Sequence, residues 1–417
     1  MIVRRDYRYA FRQRRRAQRV RWLLVFTTVV VLGMLAITAN LDTVRSMAAG
    51  ALGIKASPTL YPAEYAMLGV EAYQRGNMED AASQFIRAVQ MQPDNVAYLY
   101  EYGKTLIEMN QTTQASDIAD RAIAADPNDV RGYALKASAL AYSDPTNAII
   151  FALQGQEVDP NFAPLYAALS VANTYIYRYS QALAAGERAI ELDPTDANNY
   201  RAYSTPLIYV GRSEEAIEAL ETATQINPNL PGAWFELAFE YKNRGGNPRR
   251  AIAIYQYMVE NLQMSQADTA KAYLRICEAY AGAEPADFVA AQQNCDRALA
   301  IDPNYGSAYR ELGRMQYNRR NYEGAIETFE RCVALGATDI ECWALRGLAH
   351  YWMGQCDDAW RVLNEAQQMA GNSENGLIKQ VRVGLDNVIQ NCPDYRGQTI
   401  PTAIPPTAIP PTPIGGL

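Results

Sequence analysis

Apolar residues recur at helical spacing along most of the chain, beginning near residue 62. In the first stretch, Tyr65 and Ala72 belong to one apolar stripe, and Ala81 and Phe85 belong to a second. Gly76 falls between the two stripes, where a turn residue interrupts the pattern. The pattern therefore predicts two amphipathic helices joined by a short turn.

This helix pair repeats at a nearly constant interval. Proline closes five successive units, at Pro93, Pro127, Pro160, Pro194 and Pro228, and successive positions differ by 34, 33, 34 and 34. Alanine stands twelve positions before each proline: Ala81, Ala115, Ala148, Ala182 and Ala216. Small residues let helices approach closely, and proline ends a helix because it cannot continue one. A fixed period of this length is typical of a repeat solenoid.

The small residues and terminal prolines, recurring in register, resemble the tetratricopeptide repeat family over about four fifths of the chain. The resemblance implies an all-α fold, a right-handed superhelical solenoid of about nine helical hairpins and a C-terminal capping helix. It also implies that the first helices line a concave groove that binds peptides or proteins. The predicted solenoid covers residues 62–392, with repeats at 62–95, 96–129, 130–162, 163–196, 197–230, 231–266, 267–305, 306–339 and 340–373 and a cap at 374–392.

Two repeats are longer than the others. The interval from Pro228 to Pro303 exceeds two periods by seven positions. The additional length falls at 244–248 and around 282–288, both at predicted hairpin turns, where insertions are tolerated. After the last repeat, residues 375–390 form one more amphipathic pattern, which suits a helix that covers the final apolar face.

The region before the solenoid predicts a membrane anchor. Residues 1–21 contain nine arginines and one acid, and residues 22–39 carry no charge, a run long enough to span a bilayer. The positive-inside rule then places this basic leader in the cytoplasm and the rest outside, after a stalk at 40–61. This predicts a single-pass cell membrane protein with an extracytoplasmic domain. A cleaved signal peptide with small residues at Ser46-Met47-Ala48 is the alternative.

Charge argues against nucleic acid as the main partner. The whole chain carries −7, and the leader carries +8, so the remainder is strongly acidic. Residues 393–417 contain the repeated sequence TAIPP and predict an extended proline- and threonine-rich tail. A spacer, a ligand for a partner, a glycosylated stalk and a solvated end are all compatible with this composition.

Six cysteines lie in the last third of the chain. In a stack of hairpins, three neighbouring pairs form: Cys277 with Cys295, Cys332 with Cys342, and Cys356 with Cys392. Three disulfides fit an oxidising compartment, whereas six buried thiols are the alternative. The cysteines lack the spacing of zinc ligands.

The sequence contains no pattern typical of catalysis, and no cofactor or metal is predicted. The only histidine, His350, lies on the core-facing stripe of a first helix. No glycine-rich phosphate loop or serine-centred motif stands out. The sequence therefore predicts a protein that is not an enzyme.

The groove residues are predicted from a second stripe on each first helix. Four cations fall on neighbouring helices: Lys271, Arg275, Arg310 and Arg314. Aromatic residues fall near the same wall: Tyr142, Tyr175, Tyr209, Phe235, Phe239, Tyr317, Tyr351 and Trp352. Arginine and aromatic side chains are enriched at binding hot spots. The Lys, Asn and Arg pattern by which some tetratricopeptide repeat proteins hold a terminal carboxylate is absent.

Together these features predict a membrane-anchored extracytoplasmic scaffold that assembles protein complexes through its groove. Two alternatives stay open: a module that binds envelope polysaccharide through tyrosines and the tail, and a non-catalytic subunit of a membrane enzyme complex. The sequence does not identify the partner.

Overall fold

The computed structural model describes residues 60–243, 246–336, 340–370 and 376–400. Within these residues the chain forms nineteen α-helices, one 3₁₀ helix and no strand. In chain order the helices are α1 Pro62–Gln74, α2 Met78–Met91, α3 Val96–Glu108, α4 Thr112–Ala125, α5 Val130–Leu140, α6 Pro145–Val158, α7 Ala163–Tyr175, α8 Tyr179–Leu192, α9 Ala197–Tyr209, α10 Ser213–Ile226, α11 Pro231–Asn243, α12 Pro248–Asn261, α13 Gln266–Ala281, α14 Phe288–Ile301, α15 Gly306–Asn318, α16 Tyr322–Ala334, α17 Ile340–Trp352, α18 Cys356–Ala370 and α19 Gly376–Asn391, followed by the 3₁₀ helix Pro393–Tyr395.

The helices form nine antiparallel pairs and one final helix. Each odd-numbered helix up to α17 packs against the even-numbered helix that follows it, and each pair packs against the next pair. The all-helical repeat architecture is therefore as the periodicity predicts. The additional length of the two longer repeats falls between α11 and α12 and between α13 and α14, at hairpin turns.

Side-chain caps begin many of these helices. Asn77 accepts a hydrogen bond from the Asp80 N–H at 3.1 Å at the start of α2, and Asp144 accepts one from the Asn147 N–H at 3.2 Å at the start of α6. Each bond satisfies a backbone donor that the first helical turn leaves without an intrahelical acceptor. In these pairs the polar residue between the apolar stripes thus fixes where the second helix starts.

Small residues allow aromatic rings into the interface between paired helices. A Cβ built on Gly313 would lie 2.6 Å from Cε1 of Phe329, whose side chain is fully buried. Gly69 stands in the same relation to Phe85 in the first repeat, with the corresponding distance at 2.7 Å. The recurring glycine therefore admits a ring that any larger residue would displace.

The predicted single-pass membrane location is contradicted. None of the helices in the described ranges is both long and apolar enough to cross a bilayer. The longest have 16 residues and are amphipathic, whereas a span needs about 20 residues that are mostly apolar. The predicted span at 22–39, the leader and the stalk up to residue 59 lie outside the described residues.

Candidate functional site

The first helices of successive repeats form one layer of the stack. Direct contacts join α3 to α5, α5 to α7, α7 to α9, α13 to α15, α15 to α17 and α17 to α19. Side chains that point away from the second helices of each pair therefore share one wall, which is where the predicted groove residues belong.

The first repeat also contacts a part of the chain far beyond its neighbours. The side-chain amide of Asn229 donates a 3.0 Å hydrogen bond to the carbonyl oxygen of Gln74, 155 residues away. Met78 belongs to a buried cluster with Leu230 and Ala233. In an open solenoid each repeat contacts only adjacent repeats. Here the first repeat meets the junction of the fifth and sixth repeats directly.

Arg201 lies between two carboxylates on the same side of the stack. Its guanidinium donates to both carboxylate oxygens of Glu108 at 3.1 Å and to Glu236 at 2.7 and 3.2 Å. Only 18% of its side chain is exposed. Burial works against its charge, but Glu236 and Glu108 outweigh that effect, so the pKa of Arg201 is raised above its ordinary value. The wall of the first six repeats is thus occupied at this point by the protein's own ion pairs.

Three of the predicted tyrosines form a ladder near the ends of α5, α7 and α9. The ring centroids of Tyr142 and Tyr175 are 5.2 Å apart, and those of Tyr175 and Tyr209 are 5.6 Å apart, both with edge-to-face geometry. Tyr142 and Tyr209 are exposed, and Tyr175 is half-buried. These rings stabilise each other across three repeats.

The two predicted phenylalanines differ in burial. Phe235 is only 9% exposed and packs with Tyr255 in the core between α11 and α12, so its predicted place on the groove surface is wrong. On the side of the wall, the Lys271 ammonium lies over the Phe235 ring, 4.3 Å from its centroid. Burial lowers the pKa of Lys271. Phe239, one turn later on α11, is exposed.

The predicted basic patch is partly neutralised by acids of the same helices. Glu278, largely buried on α13, lies 2.7 Å from Arg275, 3.7 Å from Lys242 and 3.9 Å from Arg310. On α15, Arg314 pairs with the buried Glu311 at 2.6 Å. Carboxylates therefore stand among the cations that the sequence stripe places on these helices. A surface of alternating charge results, rather than a purely cationic one.

An open cleft of about 590 Å³ follows this charged surface toward the C-terminus. It is bounded by α15, α17 and α19, and its lining is mostly apolar. The residues that line it are Arg314, Tyr317, Asn318, Glu341, Leu345, Leu348, Tyr351, Trp352, Lys379, Gln380, Val383 and Asn387. Three of the predicted site residues, Arg314, Tyr317 and Tyr351, are therefore in one concave surface together with Trp352.

Hydrogen bonds and ring contacts fix the aromatic side of this cleft. The Trp352 indole N–H donates to the Tyr317 hydroxyl at 3.1 Å, and the Trp352 ring stacks on Tyr322 at 6.3 Å. The Asn391 amide donates to the Tyr351 hydroxyl at 2.9 Å. Burial raises the pKa of Tyr317 above its ordinary value. The aromatic residues are thus pre-positioned for a ligand.

The opposite side of the cleft comes from α19, which the sequence assigns only a capping role. Its apolar stripe packs on α17 and α18 through Ile378, Val381 and Leu385. Val383 lies off that stripe and is 57% exposed, and Lys379 is exposed beside it. An apolar residue on the polar face of the capping helix was the sequence signal that could have shown this second role.

A second, smaller cavity of about 240 Å³ lies between α12, α13 and α14. Its lining is more polar than apolar and includes Glu260, Asn294 and Arg297. None of the predicted site residues lines it, and the wall of first helices does not extend into it. The larger cleft is therefore the better candidate.

The six cysteines lie in three close pairs. The Cα atoms are 5.4 Å apart for Cys277 and Cys295, 6.3 Å for Cys332 and Cys342, and 6.1 Å for Cys356 and Cys392, with each sulfur pair at bonding distance. The first pair joins α13 to α14, the second joins α16 to α17, and the third joins α18 to the end of α19. These are the pairs that the hairpin arrangement predicts.

His350 belongs to the packing of α17. It is buried, and its Nδ1 lies 2.6 Å from Oε1 of Gln355 in the turn that follows the helix. The apolar stripe predicts that His350 lies in the core. The contact with Gln355 gives its buried ring nitrogen a hydrogen-bond partner there.

Antiparallel helix pairs that recur at a fixed interval and stack on one another define an all-helical repeat protein. Models of the tetratricopeptide repeat match residues 72–139, 283–349 and 207–230. The chain therefore contains tetratricopeptide repeats in these ranges. A search of curated proteins finds no match to the chain.

Solved structures share this fold at low sequence identity. A chain in the crystal structure of the APC/C hetero-tetramer Cut9-Hcn1 is 16% identical, with a TM-score of 0.53 over 67% of this chain and 54% of that chain. Yeast Tom70 is also 16% identical, with a TM-score of 0.50 over 72% of this chain and 66% of that chain. The chain thus spans about half of the first structure's length and just under two thirds of the second's. These similarities show the fold.

Proposed function

We propose that this protein is a scaffold that binds segments of partner proteins in the cleft between α15, α17 and α19. The repeat family supports protein binding. The observation that carries the proposal is the open, mostly apolar cleft of about 590 Å³, with its aromatic side chains held in place by hydrogen bonds. Concave apolar surfaces with a few polar groups are the usual form of a binding site.

The rest of the wall supports this choice of location. The Arg201 ion pairs join the second, fifth and sixth repeats, and the hydrogen bond from Asn229 to Gln74 joins the fifth repeat to the first. The cleft lies beyond that closure, where exposed groups such as Trp352 and Lys379 can contact a ligand. Trp352 is the best candidate for an energetic hot spot, because large aromatic residues in concave surfaces dominate binding.

The cleft's composition indicates the chemistry of the ligand. Apolar groups supply most of the surface, and Arg314, Glu341 and Lys379 place both signs of charge along it. An extended peptide with apolar side chains and few charges fits such a lining. The alternating charges around Glu278 provide a rim that favours one orientation of the peptide.

The test is selection of peptides from a displayed library on the immobilised full-length protein. Trp352→Ala should weaken the dissociation constants of the selected peptides by about tenfold or more, because an aromatic anchor contributes about 2 kcal/mol. Tyr257→Ala is the matched control, an exposed aromatic residue on α12 outside the cleft. Circular dichroism checks that both variants fold. Equal peptide affinity for Trp352→Ala and the parent would refute this site.

A further inference from the structure

The cleft leaves apolar side chains uncovered in the described structure. Trp352 is 56% exposed and Val383 is 57% exposed, and they stand on α17 and α19, which contact each other directly. Gln380 and Asn387 lie beside Val383 on α19 and can donate hydrogen bonds from their side-chain amides. The surface therefore offers aromatic and apolar contacts together with donors for carbonyl oxygens.

This combination suits a proline-rich segment. Such segments adopt polyproline II, which leaves every backbone carbonyl open to a donor and docks in aromatic-lined grooves. The sequence of residues 401–413, PTAIPPTAIPPTP, has six prolines, two isoleucines and no charge. An uncharged segment also suits a cleft in which Arg314 is already paired with Glu311.

The described chain ends against the core that backs the cleft. Ile400, the last described residue, packs against the buried cluster of α17, α18 and α19, and the cleft residues Leu348 and Tyr351 pack against the same cluster. Thirteen residues of polyproline II extend about 40 Å. The 16 residues of α19 extend about 24 Å, so residues 401–413 are long enough to follow the whole cleft.

We propose that residues 401–413 occupy the cleft between α15, α17 and α19 of the same chain and compete there with partner peptides. This inference rests on the proposed function, since it assigns a resident ligand to the same site. A tethered segment acts at an effective concentration of about millimolar, so a partner must bind more tightly than the segment to displace it. The tail therefore sets the minimum affinity that a partner needs in order to bind in the cleft.

Photo-cross-linking in the full-length protein tests the position directly. A benzophenone side chain replaces Trp352, and mass spectrometry locates the adducts after irradiation. Adducts within 401–413 of the same chain are expected. The same group placed at Tyr257, which is exposed on α12, should give none to that segment. Adducts only elsewhere, or only between isotopically light and heavy copies of the chain, would overturn the proposal.

Competition gives a second measurement. A labelled peptide of residues 399–413 should bind a chain that ends at Ile400 at least tenfold more tightly than it binds the full chain. In the shortened chain, Val383→Asp should weaken this binding at least tenfold. Val289→Asp, at an equally exposed valine on α14, should leave it unchanged.

The outcomes separate the two proposals. If library peptides bind the shortened chain and the tail peptide does not, the tail inference fails and the proposed function stands. If neither binds, both fail. Equal binding of the tail peptide to the Val383→Asp and Val289→Asp variants would show that the peptide binds outside the cleft, which also rejects the inference.

Discussion

A charged residue at the start of a helix can both cap that helix and form an ion pair with a neighbour in sequence. Asp129 begins α5 by accepting a hydrogen bond from the Arg131 N–H at 3.0 Å, and the Arg131 side chain binds the same carboxylate at 2.5 Å. The guanidinium hydrogen bond lowers the pKa of Asp129 below its ordinary value. One carboxylate thus serves both as a helix cap and as an ion-pair partner.

This pair predicts a pH-dependent effect of Asp129→Asn. Asparagine keeps the cap and removes the charge. Because the folded pKa of Asp129 is lowered, its extra stability is present above about pH 3.9 and is lost as pH falls through the folded pKa. The loss at pH 7 should be at most about 1 kcal/mol, since Arg131 is 35% exposed and solvent screens the pair.

Urea unfolding of parent and variant between pH 7 and pH 2.5 measures this effect. The difference in free energy of unfolding should shrink toward zero at the acidic end. A difference that stays constant over the whole range would show that the carboxylate charge does not contribute.

At the scale of elements, the cysteine pairs connect the last helices of the stack. Cys356 begins α18 and Cys392 follows α19, so their pairing closes the end of the capping helix onto the last repeat. The sequence separation is 36 residues. A cross-link over a loop of this length stabilises the folded state by about 4 kcal/mol.

The double variant Cys356→Ser, Cys392→Ser should therefore loosen α19. Its backbone amides are expected to exchange hydrogen up to about 1000-fold faster, as a loss of about 4 kcal/mol implies. Cys277→Ser, Cys295→Ser is the control, because that pair lies within α13 and α14 and should leave exchange in α19 unchanged. Six alkylated thiols in the unreduced protein, seen by intact mass, would contradict all three pairs.

The elements follow from the sequence more fully than the site does. The constant period and the small residues predict the helix pairs, because packing between paired helices depends on local spacing. Phe235 shows the limit, since its position on the stripe does not reveal that Tyr255 covers it. Glu278 shows another, because Lys242 and Arg310 approach it from neighbouring helices only after the repeats stack. The cleft surface of α19 likewise depends on how the last repeat ends.

At the scale of the whole molecule, the contact of the first repeat with the junction of the fifth and sixth repeats changes how stability is distributed. In an open stack, stability is a sum over repeats and adjacent interfaces. Arg201 in the fifth repeat binds Glu108 in the second and Glu236 in the sixth, so it couples repeats that are not adjacent. The first six repeats should behave as one cooperative unit.

Replacing Arg201 tests this coupling. Arg201→Ala leaves the largely buried Glu108 carboxylate without the guanidinium and should cost about 2–3 kcal/mol. Hydrogen exchange should accelerate in α1, although that helix lies four repeats before the substitution along the chain. Arg188→Ala, which removes an exposed pair with Glu191, should change stability by less than about 0.5 kcal/mol. Faster exchange confined to the fourth and sixth repeats would refute the coupling.

The hydrogen bond from Asn229 to Gln74 has a mechanical consequence. An open stack of helix pairs stretches like a soft spring, because each turn of the superhelix can widen independently. A stack in which distant repeats are in contact resists extension until that contact breaks, and then lengthens abruptly. Drawn by its two ends in optical tweezers, this protein should show compliant extension of the last repeats first and a separate rupture of the first six at higher force.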